Sequence, residues 1–368
     1  MKTVLNTNFR SKKRSRFRPK VCCLRTVLVI VLTFSNIALA QDGNEKPRDL
    51  YGFLKKYIDF SDKEFSRMKS GAVVVKLIDT RVEREVAAFG IMRVNITMDK
   101  FVNNLTNHDL LIESSTVLES GEFSNPPVVS DIQNLTLDPG DLKAIKTCKI
   151  GDCDFKLSAK AIEQLHTEID RSAPENKGHI LMLLRKMMVG YVQSYLTAGN
   201  AAMAVYHDKK YPLPLVKEFH DLLRESPYLY VYQPKFHDYL ENYPQIKLPG
   251  TDGFIYWAKE DFGAKRQVIS LSHIVIYHPP ERKIADVLIA SKQLFASHYF
   301  EASFGITALA NDPDDGEPGF YLIHLNRSRL DVLRHPKFGF IKNRIKNGIR
   351  ELLQKKMVAV KKKAEALP

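Results

Sequence analysis

Polar side chains interrupt several apolar, strand-like stretches in the second half of the sequence, and they are the residues best suited to chemistry. They include imidazole, amine, carboxylate, amide and guanidinium groups, which act as acids or bases or orient a ligand. We select the following as candidate pocket residues: His273, Lys292, His298, Glu301, His324, Asn326 and Arg327. On a concave sheet face they would line a pocket and hold a mostly apolar ligand through a few polar contacts. The alternative is a sheet with one solvent-exposed face, which normally carries such residues.

Strand alternation decides which of these side chains can meet. In LIHLNRSRL, alternation places His324 and Asn326 on one face of the strand and Arg327 and Arg329 on the other. A histidine or lysine buried on either face needs a partner, because an unpaired buried charge is costly. Glu301 is the acidic residue that we consider for that role.

The sequence contains none of the common catalytic or nucleotide-binding motifs, such as GxSxG, HExxH, the P-loop or GxGxxG with a following acid. In HYFE, alternation turns His298 and Glu301 to opposite faces, which argues against a shared metal site. We therefore predict no catalytic set, no metal and no other cofactor. The enzymatic alternative is a cyclase or hydrolase that uses His273 or His298 as general base.

The first 40 residues have the three parts of a secretory signal peptide. A basic segment (Lys12–Lys20) precedes a nine-residue apolar segment (Thr26–Phe34), and an Ala-x-Ala ending predicts cleavage between Ala40 and Gln41. The alternative is an uncleaved N-terminal membrane anchor. We expect an exported bacterial protein of the periplasm or cell envelope, anchored in the inner membrane if the segment is not cleaved.

Cys148 and Cys153 are the only cysteines after residue 23, and four residues separate them. Haem attachment requires CxxCH, a thioredoxin-like redox site requires CxxC, and a zinc site would need two further ligands. In an oxidising compartment the pair is typical of a structural disulfide bond, with a redox-active pair or free thiols as the alternatives.

The net charge of +13 comes from the two ends of the chain. Residues 1–40 carry nine Lys and Arg and no acid, and residues 337–368 carry ten against two Glu. The part between them is mildly acidic, so we expect no nucleic-acid partner. We expect membrane contact through the N-terminal segment or through the basic C-terminal helix.

The first part of the mature chain mixes helices and strands. Residues 50–69 carry a helical apolar stripe, and residues 72–79 and 84–97 are strand-like and close enough to form a hairpin. Residues 98–105 predict a short helix. Residues 158–206 predict a helical insertion within one α+β domain that spans residues 41–368.

In the second part of the chain, apolar and polar residues mostly alternate, as they do in β-strands. From residue 253 the pattern predicts four or five antiparallel strands, and the long stretch at 285–309 should bend near Ala296–His298. Before them, YLYVYQ (228–233) predicts another strand, whose tyrosines could stack a ligand or fill a core. A last helix, from about Phe340 to Glu365, has an apolar stripe that fits packing on a sheet, with Lys and Arg on its solvent side. The fold class is therefore α+β.

The order of these elements resembles the helix-grip fold of the START and Bet v 1-like superfamily. The resemblance rests on REVAAFGIMRVNITMDKFVNNL near the start and on ASHYFEASFGITAL and GFYLIHLNRSRLDVL before the last helix. It covers residues 77–107 and 253–367. It implies a curved antiparallel sheet packed on the long C-terminal helix, with a cavity between them.

The function that we expect from this layout is an exported protein that binds a hydrophobic small molecule or a lipid-like ligand in the sheet–helix cavity. The partner would then be that ligand. The non-enzymatic alternative is a structural or interaction protein of the cell envelope, which would have a solid core in place of a cavity.

Overall fold

The computed structural model describes residues 49–105, 116–169, 177–280, 284–312, 318–334 and 339–367, which all belong to one structural unit, Lys46–Pro368. The predicted signal peptide and its cleavage site at Ala40 and Gln41 lie outside the described residues. Within these ranges the chain has an α+β fold, as predicted, with a large antiparallel sheet and a long C-terminal helix.

Eight strands form the large sheet, in the order β1-β2-β10-β9-β8-β7-β6-β3. All neighbouring pairs are antiparallel, and β6 to β10 form a meander in which each strand pairs with the next along the chain. A two-stranded ribbon, β4-β5, lies outside this sheet. The strands are β1 Val74–Ile78, β2 Glu85–Val94, β3 Val117–Glu122, β4 Val205–Tyr206, β5 Leu213–Pro214, β6 Thr251–Glu260, β7 Val268–Tyr277, β8 Val287–Ala296, β9 Phe300–Asn311 and β10 Phe320–Leu330.

The strand predictions for the second half and for the first hairpin are confirmed. β1 pairs with β2, and residues 253–330 contain five strands. The long stretch divides into β8 and β9 at the predicted place, where Tyr299 has a positive φ of 58°. β3 (Val117–Glu122) was not predicted as a strand; it pairs with β6 at the edge of the sheet, and its proline-rich continuation is irregular.

The helices occupy the beginning, the middle and the end of the chain. They are α1 Leu50–Ile58, α2 Asp62–Lys69, α3 Met98–Leu105, α4 Pro139–Thr147, α5 Ala159–Glu168, α6 Lys177–Ala198, α7 Leu215–Arg224, α8 Pro227–Tyr232, α9 Pro234–Glu241 and α10 Gly339–Glu365. The helical segment between β3 and β6 thus runs from α4 to α9, which is longer than the insertion predicted at 158–206.

Two predictions of secondary structure need correction. Residues 50–69 form two helices because Asp59 adopts a left-handed conformation (φ 53°) and Ser61 starts α2 with a capping box to Glu64. The segment 228–233 was predicted as a strand, but it is helical. A proline stands at the first turn of both α8 and α9, where the missing N–H costs nothing, and the tertiary contacts of the aromatic side chains override their preference for strands.

The large sheet is covered on both faces. One face, which we call the helical face, carries Phe89, Leu271 and Phe304 and packs against the helices at the start and middle of the chain. The opposite face, which we call the terminal-helix face, carries Met92 and Ile274 and packs against α10. Since both faces are covered, even polar residues of the central strands are buried.

The C-terminal helix lies close to the sheet through its predicted stripe. Leu353, Met357 and Ala364 are buried, and the packing partners of α10 include β1 and β2. A Cβ atom at Gly90 in β2 would lie 2.1 Å from the Met357 Sδ atom, so the absence of a side chain permits this close approach. The prediction that α10 packs on the sheet is confirmed.

Candidate functional site

Two of the candidate residues, His273 and Lys292, lie side by side on the helical face. They are directly paired in the register of β7 and β8, and their exposures are 5% and 1%. The Lys292 Nζ atom donates to the Asn200 Oδ1 atom at 2.6 Å. It also lies 4.7 to 5.3 Å from the ring centres of Tyr195, Phe219 and Tyr243. The amine is thus enclosed by three aromatic rings.

The connection after α6 is built to present Asn200 to this lysine. Gly199 has a positive φ of 58°, and a Cβ atom there would lie 2.0 Å from the Tyr243 carbonyl oxygen. The Asn200 Nδ2 atom donates to the carbonyl oxygens of Leu240 and Glu241 at 3.0 and 2.8 Å. These bonds fix the amide so that its oxygen atom points at the Lys292 amine.

Burial shifts the protonation of this cluster toward neutral forms. It lowers the pKa of Lys292 to about 7, and burial together with the Lys292 charge holds the pKa of His273 well below its ordinary value. The Tyr195 hydroxyl lies 2.9 Å from the His273 Nδ1 atom, and burial raises the pKa of that hydroxyl. A neutral amine is a base and a nucleophile. At 1% exposure, however, the side chain has no contact with solutes in this conformation.

His298 and Glu301 each have their own partners. The His298 Nε2 atom lies 2.9 Å from the Asp141 Oδ1 atom, and both side chains are buried. Glu301 accepts hydrogen bonds from Arg84 and Arg334. The acid that pairs with a buried histidine is therefore Asp141 of α4, and Glu301 belongs to a different cluster.

That cluster is a network of buried ion pairs at the end of the sheet. Arg327 and Arg329 both pair with Glu85, and the Arg329 Nη1 atom lies 2.6 Å from the Glu218 Oε2 atom of α7. Arg84 joins the network to Glu301, because it contacts both Glu218 and Glu301. The network connects the ends of three strands to α7, and removing one member would leave a buried charge without its partner.

His324 and Asn326 lie on the terminal-helix face, away from Arg327, as alternation predicted. The His324 Nδ1 atom lies 2.8 Å from the Thr307 Oγ1 atom, and the Asn326 Nδ2 atom donates to the Ser303 Oγ atom at 3.2 Å. Burial, with a smaller effect from the charge of Lys356 in α10, lowers the pKa of His324 to about 3. This histidine is neutral at physiological pH.

The structure thus divides the seven candidate residues among four places. His273 and Lys292 share one, His298 has another, Glu301 and Arg327 share the ion-pair network, and His324 and Asn326 lie beneath α10. Their common property is burial among partners from other elements, and they do not converge on a single cavity.

The helical face contains an apolar pocket that sequence reasoning missed. Its volume is about 70 Å³, and it lies between α1, α8 and strands β2, β8, β9 and β10. None of the seven candidate residues lines it. The side chains around it include Phe53, Phe89, Leu288, Ile306, Ile323 and Leu325. The one sequence signal that pointed here was the tyrosine-rich run, since Tyr228 and Tyr232 of α8 also line the pocket.

A few of the residues that line the pocket carry polar groups. Tyr228 is a lining residue, and its hydroxyl is hydrogen-bonded to Arg327 and Ser226. Gln233, just after α8, is the other polar lining residue besides the tyrosines. Phe53 of α1 contacts the rings of Tyr228 and Tyr232 edge to face, at 6.1 and 5.9 Å between ring centres. Aromatic contacts between α1 and α8 therefore form one wall.

Cys148 and Cys153 are joined by a disulfide bond, as predicted. The bond closes the turn that follows α4, and the Gly151 and Cys153 amides donate to the carbonyl oxygens of His207 and Asp208. Gly151 has a positive φ of 84°, which only glycine adopts without strain. The disulfide therefore fixes a tight turn against the segment after β4.

One group of side chains in the described residues has the spacing of metal ligands. Ligand atoms of His237, Asp238 and Glu241 lie within 4.8 Å of one another on α9. All three come from one helical turn, Asp238 is exposed, and the acids already face the His237 ring. Such a cluster is ordinary on a helix surface, and we assign no metal to it.

Comparisons of the chain with protein-family models, curated proteins and solved structures found no match. Among the helices of the described residues, none has both the length and the apolar composition that a membrane span requires. Any function must therefore be argued from the pocket and the surfaces themselves.

Proposed function

We propose that this is an exported protein that binds a slender apolar chain, such as the end of a lipid acyl group, in the pocket between α1, α8 and the sheet. The observation that carries the proposal is the lining of that pocket, which is apolar apart from Gln233 and the tyrosine hydroxyls. Apolar pockets with a few polar groups at one side are typical of sites for hydrophobic ligands.

The size of the pocket limits what it would hold. A cavity of about 150 Å³ binds benzene, and one water molecule occupies about 30 Å³ of the liquid. A volume of about 70 Å³ therefore holds two or three carbon atoms of a chain and is too small for a ring such as benzene. Each buried methylene would stabilise the complex by about 0.8 kcal/mol.

The polar lining residues suggest how the ligand would be oriented. The Tyr228 hydroxyl is already bonded to Arg327 and Ser226. The Gln233 amide would therefore contact a polar group of the ligand, and the apolar end would lie against Phe53 and Leu288. The helix-grip resemblance implied a cavity on the terminal-helix face, whereas this pocket lies on the helical face. There, α1 and α8 would have the role that the resemblance gives to the terminal helix.

The experiment is native mass spectrometry, with organic extraction, of the protein exported to a periplasm. We expect an apolar adduct on a chain that begins at Gln41. Two or three buried carbon atoms supply only about 2 kcal/mol, so the rest of the ligand would have to contact the protein outside the pocket. Ala308 lines the pocket, and Ala308→Leu would fill it. Ala161→Leu is the matched control, because Ala161 is also half-buried but lies on α5, away from the pocket.

Loss of the adduct in Ala308→Leu and its retention in Ala161→Leu would support the pocket as the site. Both variants must show a cooperative unfolding transition like that of the parent protein. An adduct that persists in Ala308→Leu would place the ligand elsewhere, and a parent protein without any adduct would favour the envelope interaction protein.

A further inference from the structure

The C-terminal helix α10 carries a large excess of positive charge. The helix contains nine Lys and Arg residues and two Glu, whereas residues 41–336 carry 36 basic and 40 acidic residues. The net positive charge of the sequence after residue 40 therefore comes from its C-terminal end, mostly from α10. We propose that the outward side of α10 is a docking surface for a membrane that contains anionic phospholipids.

The packing of α10 leaves this side uncovered. Leu353 and Met357 face the sheet, while Arg344, Lys355, Val358 and Lys362 fall on the opposite side, within about 60° of one another on a helix of 3.6 residues per turn. We call these four residues the outer row. Arg344, Lys355 and Lys362 are exposed, and Val358 is 48% exposed.

The lysines of α10 divide into two groups by their contacts. The Lys361 Nζ atom donates to the Gly71 carbonyl oxygen at 2.9 Å, and Lys356 lies over the sheet, where its charge affects the pKa of Glu260. In contrast, the basic side chains of the outer row make no ion pair or hydrogen bond with any described residue. Lys361 therefore ties α10 to the turn before β1, and the basic side chains of the outer row are available to a partner.

The arrangement of the outer row fits a flat anionic surface. Arg344 and Lys362 are 18 residues apart, which corresponds to about 27 Å along the helix axis. Val358, which is 48% exposed, lies between the positive charges of the outer row. Lysines near an anionic bilayer each contribute to binding. The three basic side chains of the outer row are far enough apart for each to contact a different lipid headgroup on a flat surface.

The same packing predicts how the contact would behave. A helix that lies in a bilayer interface inserts its apolar face, but the apolar face of α10 is buried against the sheet. The contact is therefore electrostatic, and it should weaken as the salt concentration rises.

The test is co-sedimentation of the exported protein with phosphatidylcholine vesicles that contain or lack phosphatidylglycerol. Binding is measured as the fraction of vesicle-bound protein that high salt releases. Protein that is held by an inserted apolar segment is not released by salt and is therefore not counted. The outer-row variant combines Arg344→Gln, Lys355→Gln and Lys362→Gln. The control variant combines Lys143→Gln, Lys160→Gln and Lys235→Gln, which are exposed lysines of α4, α5 and α9.

We expect salt-releasable binding to the anionic vesicles only. The outer-row variant should lower the partition coefficient by about a hundredfold, and the control variant should change it by no more than a few fold. Equal binding to both kinds of vesicle, or an equal loss in both variants, would overturn the proposal. Salt-sensitive binding to soluble polyglutamate without binding to vesicles would assign the surface to an acidic protein instead.

Discussion

The buried amine of Lys292 gives the sharpest quantitative prediction. Burial lowers its pKa to about 7 in the folded protein, against 10.5 for an ordinary lysine. Between these two pH values the unfolded chain binds a proton that the folded chain lacks, so the free energy of unfolding rises with pH. The slope is about 1.4 kcal/mol per pH unit, which amounts to about 5 kcal/mol over the whole window.

The perturbation that isolates this contribution is Lys292→Met, which keeps the length of the side chain and removes the amine. Below about pH 7 the amine is charged in both states, so it adds no pH dependence to the difference in stability between the variant and the parent. Above about pH 7, the free energy of unfolding of the parent protein should rise relative to that of the variant by about 1.4 kcal/mol per pH unit. The Lys292 charge also lowers the pKa of His273, so this histidine titrates differently in the variant. Its ordinary pKa is about 6.5, so the comparison is made above about pH 7.5, where His273 is neutral in both states of both proteins.

The assay is denaturant unfolding of both proteins, followed by circular dichroism, at several values between about pH 7.5 and pH 10. Lys143→Met, at an exposed position, serves as the control and should follow the parent protein at every pH. Attraction to the three aromatic faces and to Asn200 favours the charged amine and opposes the effect of burial. If the difference in the free energy of unfolding between parent and variant stays constant over the whole pH range, those contacts offset the effect of burial, and the reasoning is refuted.

Three further predictions concern stability, each measured as a change in the free energy of unfolding. Replacing Cys148 and Cys153 by serine should cost about 2 kcal/mol, because the closed loop is short, and a reductant should then have no further effect. Arg329→Met leaves Glu85 buried without one of its partners and should cost about 3 to 5 kcal/mol; a change below about 1 kcal/mol would mean that the network is hydrated. Ser61→Ala removes the capping box of α2 and should cost about 1 kcal/mol, and an unchanged stability would show that α2 is held by packing alone.

The sequence predicted those parts of the fold in which apolar residues recur at a regular spacing and the same residues are buried. The meander from residue 253 alternates because its hairpins are local, and the stripe of α10 repeats because one side of a long helix faces a sheet. The segment 228–233 failed for the opposite reason. Its alternating aromatic residues fit a strand, but Leu229 and Tyr232, three positions apart, are buried as in a helix.

The site could be predicted only in part, because the sequence shows which residues are unusual and does not show what they contact. Lys292 and His298 stood out as polar groups in apolar strands. Their partners, Asn200 and Asp141, precede them by 92 and 157 residues and come from helical segments whose packing no local pattern reveals. Apart from the tyrosine-rich run, the sequence did not indicate the apolar pocket, since most of its lining residues are ordinary core residues.

The two proposals place their sites on opposite faces of the sheet, and this has a consequence for how a ligand would arrive. If α10 docks on a bilayer, the pocket beside Phe53 and Tyr228 faces away from that bilayer, with the sheet between them. An apolar chain would then enter the pocket from solution, and direct transfer from the lipids beneath α10 would be blocked.

Ligand occupancy of the pocket and vesicle binding by α10 should therefore be independent. Ala308→Leu should bind anionic vesicles like the parent protein, and the outer-row variant should keep its adduct. A variant that loses both properties together would show that the two sites are coupled and that this separation by the sheet is wrong.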